Sequence, residues 1–141
     1  MTIQKIAGGN FGGIRSLFVD YVENVTDILV MSETAQEIPI REGSTSFNSG
    51  TQSSPAGPYY ELKIQGFASG INKDNLAGFE ALNNRKVIAW FEDYHEAQFA
   101  LGILTQPARM VIETNIPADH KQAAGFNFTI TSKQTVGLAV L

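Results

Sequence analysis

Strict alternation of apolar and polar residues is the strongest constraint on what this chain can fold into. Phe126, Phe128 and Ile130 alternate with Asn127, Thr129 and Thr131, and Tyr60, Leu62 and Ile64 alternate with Glu61, Lys63 and Gln65. Successive side chains of a strand point to opposite faces, so a period of two marks strands with one buried face. Lys86–Glu92, Ala97–Leu104, Arg109–Asn115 and Gly125–Lys133 are read as further strands, separated by turns at Pro107 and at Ile116–His120. The run Ile14–Met31 is rich in Val, Ile, Phe and Tyr and breaks near Glu23–Asn24 and Thr26–Asp27. It predicts two short strands.

One stretch departs from this period. In NKDNLAGFEALNN, Leu76, Phe79 and Leu82 recur at intervals of three behind Asn72. Asn72 suits a helix cap, and Asn83–Asn84 suit a helix stop. The expectation is one short α-helix over about residues 72–83. By contrast, Arg41–Pro58 holds five Ser, three Gly and two Pro and little to bury. It reads as a long flexible Ser/Gly-rich loop or extended arm. The closing TVGLAVL is an edge strand or an apolar tail docked on a neighbour. With no repeat and no linker, the 141 residues form one domain spanning 1–141. Its fold class is α+β, mainly antiparallel β, with a β-sandwich-like architecture and one inserted helix.

Composition narrows the function. Net charge is −4, with ten basic residues spread along the chain. No basic stripe follows a phosphate backbone, which argues against sequence-specific nucleic-acid binding. Cysteine is absent, which removes disulfides, thiolate metal sites and cysteine nucleophiles. The N-terminus lacks a signal-like segment, and apolar runs such as Ile28–Met31 are too short to cross a bilayer. The expectation is a chain made in the cytosol that does not engage a membrane. Charged residues are 17% of the chain, below the usual quarter of a soluble domain, which points to surface reserved for protein contacts.

The densest chemistry lies in FEDYHEAQF, where Glu92, Asp93, His95 and Glu96 fall within five positions. On a strand, Glu92, Tyr94 and Glu96 share one face while Asp93 and His95 share the other. A metal needs three or more converging ligands, and the second His of an H-E-x-x-H helix is missing. The other histidine, His120, lies in a polar turn. Between two apolar strands the better reading is a solvated bend, so neither catalytic nor metal-ligating residues are assigned. GGNFGG, Gly8–Gly13, lacks the spacing of a phosphate loop and precedes a strand rather than a helix. It reads as a hinge in a flexible N-terminal arm, residues 1–13. No serine sits in a G-x-S-x-G elbow. Tyr59, Tyr60, Trp90 and Tyr94 could stack sugars or bases. Trp90, however, lies within KVIAWF, where Val87, Ala89 and Phe91 face one way and Ile88 and Trp90 the other. Both faces are apolar, as in a strand covered on two sides or one that meets another subunit.

The order of these segments carries a resemblance. It runs from AGGNFGGIRSLFVDYV through a Ser/Gly-rich stretch, YELKIQGF and the helix at NLAGFEALNN. The hairpin KVIAWFEDYHEAQFALGILTQP, then ARMVIETN and GFNFTITSKQT, complete it. The chain resembles a family of small structural proteins of tailed phages and prophages of Bacteroidetes-type bacteria. In that family the hairpin has an acidic turn and is followed by Gly–Thr–x–x–x–Pro. Here Gly102 and Pro107 are present, but Thr105 does not directly follow the glycine. The resemblance implies a non-enzymatic, cofactor-free virion subunit that forms a homo-oligomeric ring in the tail or at the head–tail junction. Its partners would be further copies and other virion proteins. A head decoration protein and a carbohydrate-binding β-module using Tyr59, Tyr60 and Tyr94 are the alternatives. Ring subunits need arms that reach their neighbours. Met1–Gly13, Arg41–Pro58 and Val136–Leu141 are the candidate arms. Phe11, Phe47, Tyr59, Leu138 and Leu141, on or beside them, join Trp90 as candidate contact residues.

Overall fold

The computed structural model describes residues 13–119, 121, 122 and 124–141. It is a mainly antiparallel β fold with one α-helix among the described residues. The strands are β1 (Ile14–Tyr21), β2 (Gln36–Glu37), β3 (Ser46–Ser54), β4 (Gly57–Ser69), β5 (Arg85–Asp93), β6 (Gln98–Leu101), β7 (Ala108–Asn115), β8 (Gly125–Gln134) and β9 (Ala139–Val140). Helix α1 covers Lys73–Leu82, and a single 3-10 turn covers Val22–Asn24. All described strands belong to one hydrogen-bonded sheet in the order β2-β1-β5-β7-β8-β4-β3, with β6 branching from β5 and carrying β9.

The branch arises because two strands share one edge of β5. Arg85–Val87 pair with β7, while Ala89–Glu92 pair with β6. The opposite edge of β5 pairs with β1 from Tyr21↔Val87 to Ile14↔Asp93. Residues beyond β2 then tie the two ends of the sheet together. Ile38 N–H donates to the Leu17 carbonyl at 2.9 Å, Arg41 N–H donates to the Phe67 carbonyl at 2.8 Å, and Ile40 bridges Ala68 of β4. The stretch from Gln36 to Thr45 thus lies between β1 and β4, and the sheet curls around its own core.

That core holds the residues the alternation points inward. Leu62, Ile64, Phe126, Phe128 and Ile130 are all 0–1% exposed, each burial contributing about 1.5–3 kcal/mol. Helix α1 covers part of it. The Asn72 side chain accepts from Asn75 N–H at 2.8 Å, closing the first turn as a cap. Phe79 stacks on Phe126 with ring centroids 4.3 Å apart. The stop is also where the sequence predicts it. Asn84 adopts φ 61°, and the Asn83 side chain accepts from Ile112 N–H at 2.9 Å, joining the helix end to β7.

Two predicted elements differ. Ile28–Met31 is not a strand. The chain turns after Val22–Asn24 and lies across the outer face of β1 and β5, where Trp90 Nε1–H donates to the Ile28 carbonyl at 2.8 Å. Its apolar residues mimic a strand, but no neighbour offers them a ladder. The second correction concerns Arg41–Pro58. Ser46–Ser54 is not a flexible loop but a strand, paired residue for residue with β4 from Ser46↔Gln65 to Ser54↔Gly57. Its polar composition hides it because a ribbon wetted on both faces needs no apolar face. The ladder comes from β4. Since β4 meets β8 only from Tyr60↔Gln134 onward, the end around Gln52–Tyr59 projects as a two-stranded ribbon. The predicted arm at 1–13 lies outside the described residues apart from Gly13. The C-terminal edge strand is present as β9, docked on this chain's own β6.

Candidate functional site

The acidic bend is a turn built from its own carboxylate. Asp93 Oδ1 accepts from His95 N–H at 2.8 Å and Ala97 N–H at 3.0 Å, and Glu96 takes φ 65° to close the reversal. Glu92 forms an ion pair with Arg15 on the neighbouring β1. Two of the four candidate groups are thus engaged in holding β5, β6 and β1 together. Among the described residues no three His, Asp or Glu side chains converge on a point that could hold a metal. His120 lies outside those residues.

A second acidic group, passed over in the sequence, is the most buried. Asp20 is 4% exposed and sits on the outer face of β1 beneath the overlying residues 22–35. Its carboxylate accepts from Asn24 Nδ2 at 3.0 Å, from Tyr21 N–H at 2.8 Å and from the hydroxyls of Ser32 and Thr34. Burial alone would raise its pKa. The hydrogen bonds from Ser32, Thr34, Asn24 and the Tyr21 amide outweigh that and hold it below its ordinary value. Asp20 therefore latches the overlying segment, whose Val25 joins Ile88, Trp90 and Ala100 in a second apolar cluster. A lone acid inside the apolar run FVDYV was the available signal, but its side-chain partners lie four to fourteen residues further on.

The candidate contact residues fall into different environments. Phe11 lies outside the described residues. Trp90 is 1% exposed, covered by this chain's own residues, and offers no surface as folded. Phe47 is half-buried against Phe91, ring centroids 5.2 Å apart. Leu138 packs at the border of the main core. Tyr59 is half-buried and lines a shallow recess with Gln106, Lys133 and Thr135. Tyr59 and Tyr60 are consecutive on β4, so their rings lie on opposite faces of the sheet, and Tyr94 lies against Gly13. The tyrosines do not form one platform. Leu141, 41% exposed, borders a recess of about 110 Å³ with Met31, Phe18 and Phe99.

That recess marks an apolar surface the sequence reading missed. Met31 and Leu141 line it together. Their chain neighbours Leu29, Val30 and Val140 are 53%, 64% and 65% exposed. Leu29 and Val30 face water because the Asp20 latch fixes the backbone of 24–34 and leaves no core on its far side, whereas Val140, paired with Phe99, points to the opposite face from Leu141. Scattered exposed apolar residues are ordinary, whereas Met31 and Leu141 bring two remote segments to one apolar recess. Comparison with protein-family models, with curated proteins and with solved structures finds no match to this chain.

Proposed function

We propose that this protein is a non-enzymatic structural subunit of a tailed phage or phage-like particle. Its place is in a ring of identical subunits in the tail or at the head–tail junction. The observation that carries the reading is the apolar recess that Met31 and Leu141 line together, with Leu29 and Val30 exposed on the same segment as Met31. A surface of this kind is stabilised by another protein rather than by water. In this reading the curled sheet acts as two facing layers, sandwich-like, with β2-β1-β5-β6-β9 on one side and β7-β8-β4-β3 on the other. The projecting β3–β4 ribbon is the arm that reaches a neighbour. The partners are further copies and other virion proteins. The chain is made in the bacterial host cytoplasm and ends in the virion. The acidic bend serves the hairpin and carries no chemistry.

Mass spectrometry of particles purified from an induced host, with light scattering of the isolated chain, tests this. The expected result is stoichiometric presence in the particle and self-association that Val30→Asp and Leu141→Asp weaken. A chain absent from particles and monomeric at every concentration refutes it. The carbohydrate-binding alternative draws on the Tyr59 recess with its polar Gln106, Lys133 and Thr135. It requires glycan affinity that Tyr59→Ala abolishes.

A further inference from the structure

Strand β3 ends the sheet, and among the described residues it pairs with β4 alone. An open edge of nine residues is a template for another strand. Such edges are commonly blunted by charges, prolines or bulges. None of these is present here. Ser46–Ser54 contains no charged residue and no proline, and its pairing with β4 runs without a register shift.

The direction of its free groups follows from the hairpin. Ser54↔Gly57 flank the two-residue turn Pro55–Ala56, which makes them a hydrogen-bonded pair. Pro58, opposite Ser53, has no N–H to give and fits the next, non-bonded position. Counting by twos, the N–H and C=O groups of Phe47, Ser49, Thr51 and Ser53 point away from β4 to the open edge.

We propose that this edge pairs with the same edge of a second copy, β3 against β3, antiparallel about a two-fold axis at Gly50. The support is self-complementarity. With Gly50 opposite Gly50, Ser49 meets Thr51, Asn48 meets Gln52, Phe47 meets Ser53 and Ser46 meets Ser54. Apart from Phe47–Ser53 and the central glycines, every pair joins like polar side chains, and none places like charges together. The four outward-facing residues of each copy supply about eight backbone bonds. Glu61, beside Gly50 on β4, is the nearest charge on the axis. It lies three strand spacings, about 14 Å, from its symmetry mate, beyond the screening length of about 8 Å at physiological salt. The glycines at the centre leave the approach open, since a Cβ at Gly50 would meet only Gln52 Nε2 at 4.0 Å. Two-fold pairing closes both edges at once, so association stops at two rather than growing into a fibre. A ribbon contact of this size falls at the low end of specific interfaces, under about 1,200 Å², so the pair is concentration-dependent. The inference uses the ribbon that the particle reading takes as its arm, but none of the residues of the apolar recess, and it stands if the particle reading fails.

The absence of cysteine gives a direct test on the full chain. A central non-bonded pair brings the two Cα atoms within about 4.5–5.5 Å, inside disulfide range. Gly50→Cys is therefore expected to form a disulfide-linked pair under mild oxidation, whereas Gly137→Cys on the C-terminal turn is not. In a Val30→Asp background, Ser49→Lys/Thr51→Lys places like charges opposite each other across the axis and is expected to abolish the remaining self-association in light scattering. Ser49→Glu/Thr51→Lys, which places opposite charges there, restores it. Equal cross-linking at both cysteine positions overturns the proposal. So does failure of Gly50→Cys to cross-link, or self-association indifferent to the charge swap. Val30→Asp leaves this pairing intact, which separates its outcome from that of the apolar recess.

Discussion

Replacing Asp20 with alanine removes the group that holds residues 24–34 against the sheet. Four hydrogen bonds end on its carboxylate, and a bond to a charged group contributes about 1.5–3 kcal/mol net. The four are not additive. Thr34 is exposed and Ser32 half-buried, so both hydroxyls recover water once the latch opens. We expect a loss of about 2–4 kcal/mol, dominated by the Asn24 amide and the Tyr21 N–H left beneath the segment. With a urea m-value of about 2 kcal/mol/M, the midpoint falls by about 1–2 M. Trp90 is the only tryptophan, and its indole N–H reaches the Ile28 carbonyl on the same segment. Fluorescence quenching by acrylamide therefore reads the latch directly and should increase in Asp20→Ala.

The pH dependence has a definite sign. The folded carboxyl titrates below its ordinary 3.8, so the folded state favours the ionised form. Its stabilisation is complete well above that ordinary value, and it fades as pH falls through 3.8 and then through the lower folded value. Parent and Asp20→Ala should differ most at neutral pH, and the gap should narrow in acid as the carboxylate is protonated. A midpoint shift under about 0.3 M, worth about 0.6 kcal/mol, refutes the latch. So does a difference that persists undiminished in strong acid, or unchanged quenching of Trp90.

Three further outcomes follow from single positions. Gly125→Ala places a Cβ 2.3 Å from the Ala68 carbonyl and 2.6 Å from Phe67 Cζ. The β4–β8 ladder must part, and thermal melting should show a loss of about 3 kcal/mol or more. The buried Gln134 side chain accepts from Gly102 N–H and Ser132 Oγ and donates to the Val136 and Gly137 carbonyls. Gln134→Ala should cost about 2–3 kcal/mol and speed amide exchange selectively in Val136–Leu141. Glu96, at φ 65°, bears the cost of a left-handed conformation without a compensating side-chain bond in the described structure. Glu96→Gly should raise the unfolding free energy measured by urea denaturation by about 1 kcal/mol, and a drop would contradict the turn assignment.

Much of the architecture is legible because it rests on local chemistry. Asn72, Leu76, Phe79 and Leu82 announce α1 through a cap and a face, and the structure uses each in that role. The alternation in Tyr60–Gln65 and Phe126–Thr131 announces β4 and β8 because one buried face requires it. KVIAWF signals a strand covered on both sides, and both apolar clusters form there. What the signal leaves open is which protein covers the outer face. The answer is this chain's own residues 22–35. Likewise, acidic density in FEDYHE marks a bend, while the choice of Asp93 as the acceptor for its amides depends on turn geometry.

Sequence alone thus determined the strand periodicity, the single capped helix and the hairpin bend, since each depends on residues within a few positions of one another. Tertiary structure decided the rest. Ser46–Ser54 becomes a strand only because β4 lends it a ladder, and Ile28–Met31 loses its strand only because Asp20 and Trp90 hold its backbone elsewhere. The sheet curls shut through Ile38, Ile40 and Arg41, bonds across at least twenty-one residues of chain. Partners that far apart leave no local pattern, so their pairing is settled by the packed core and not by the order of neighbouring residues.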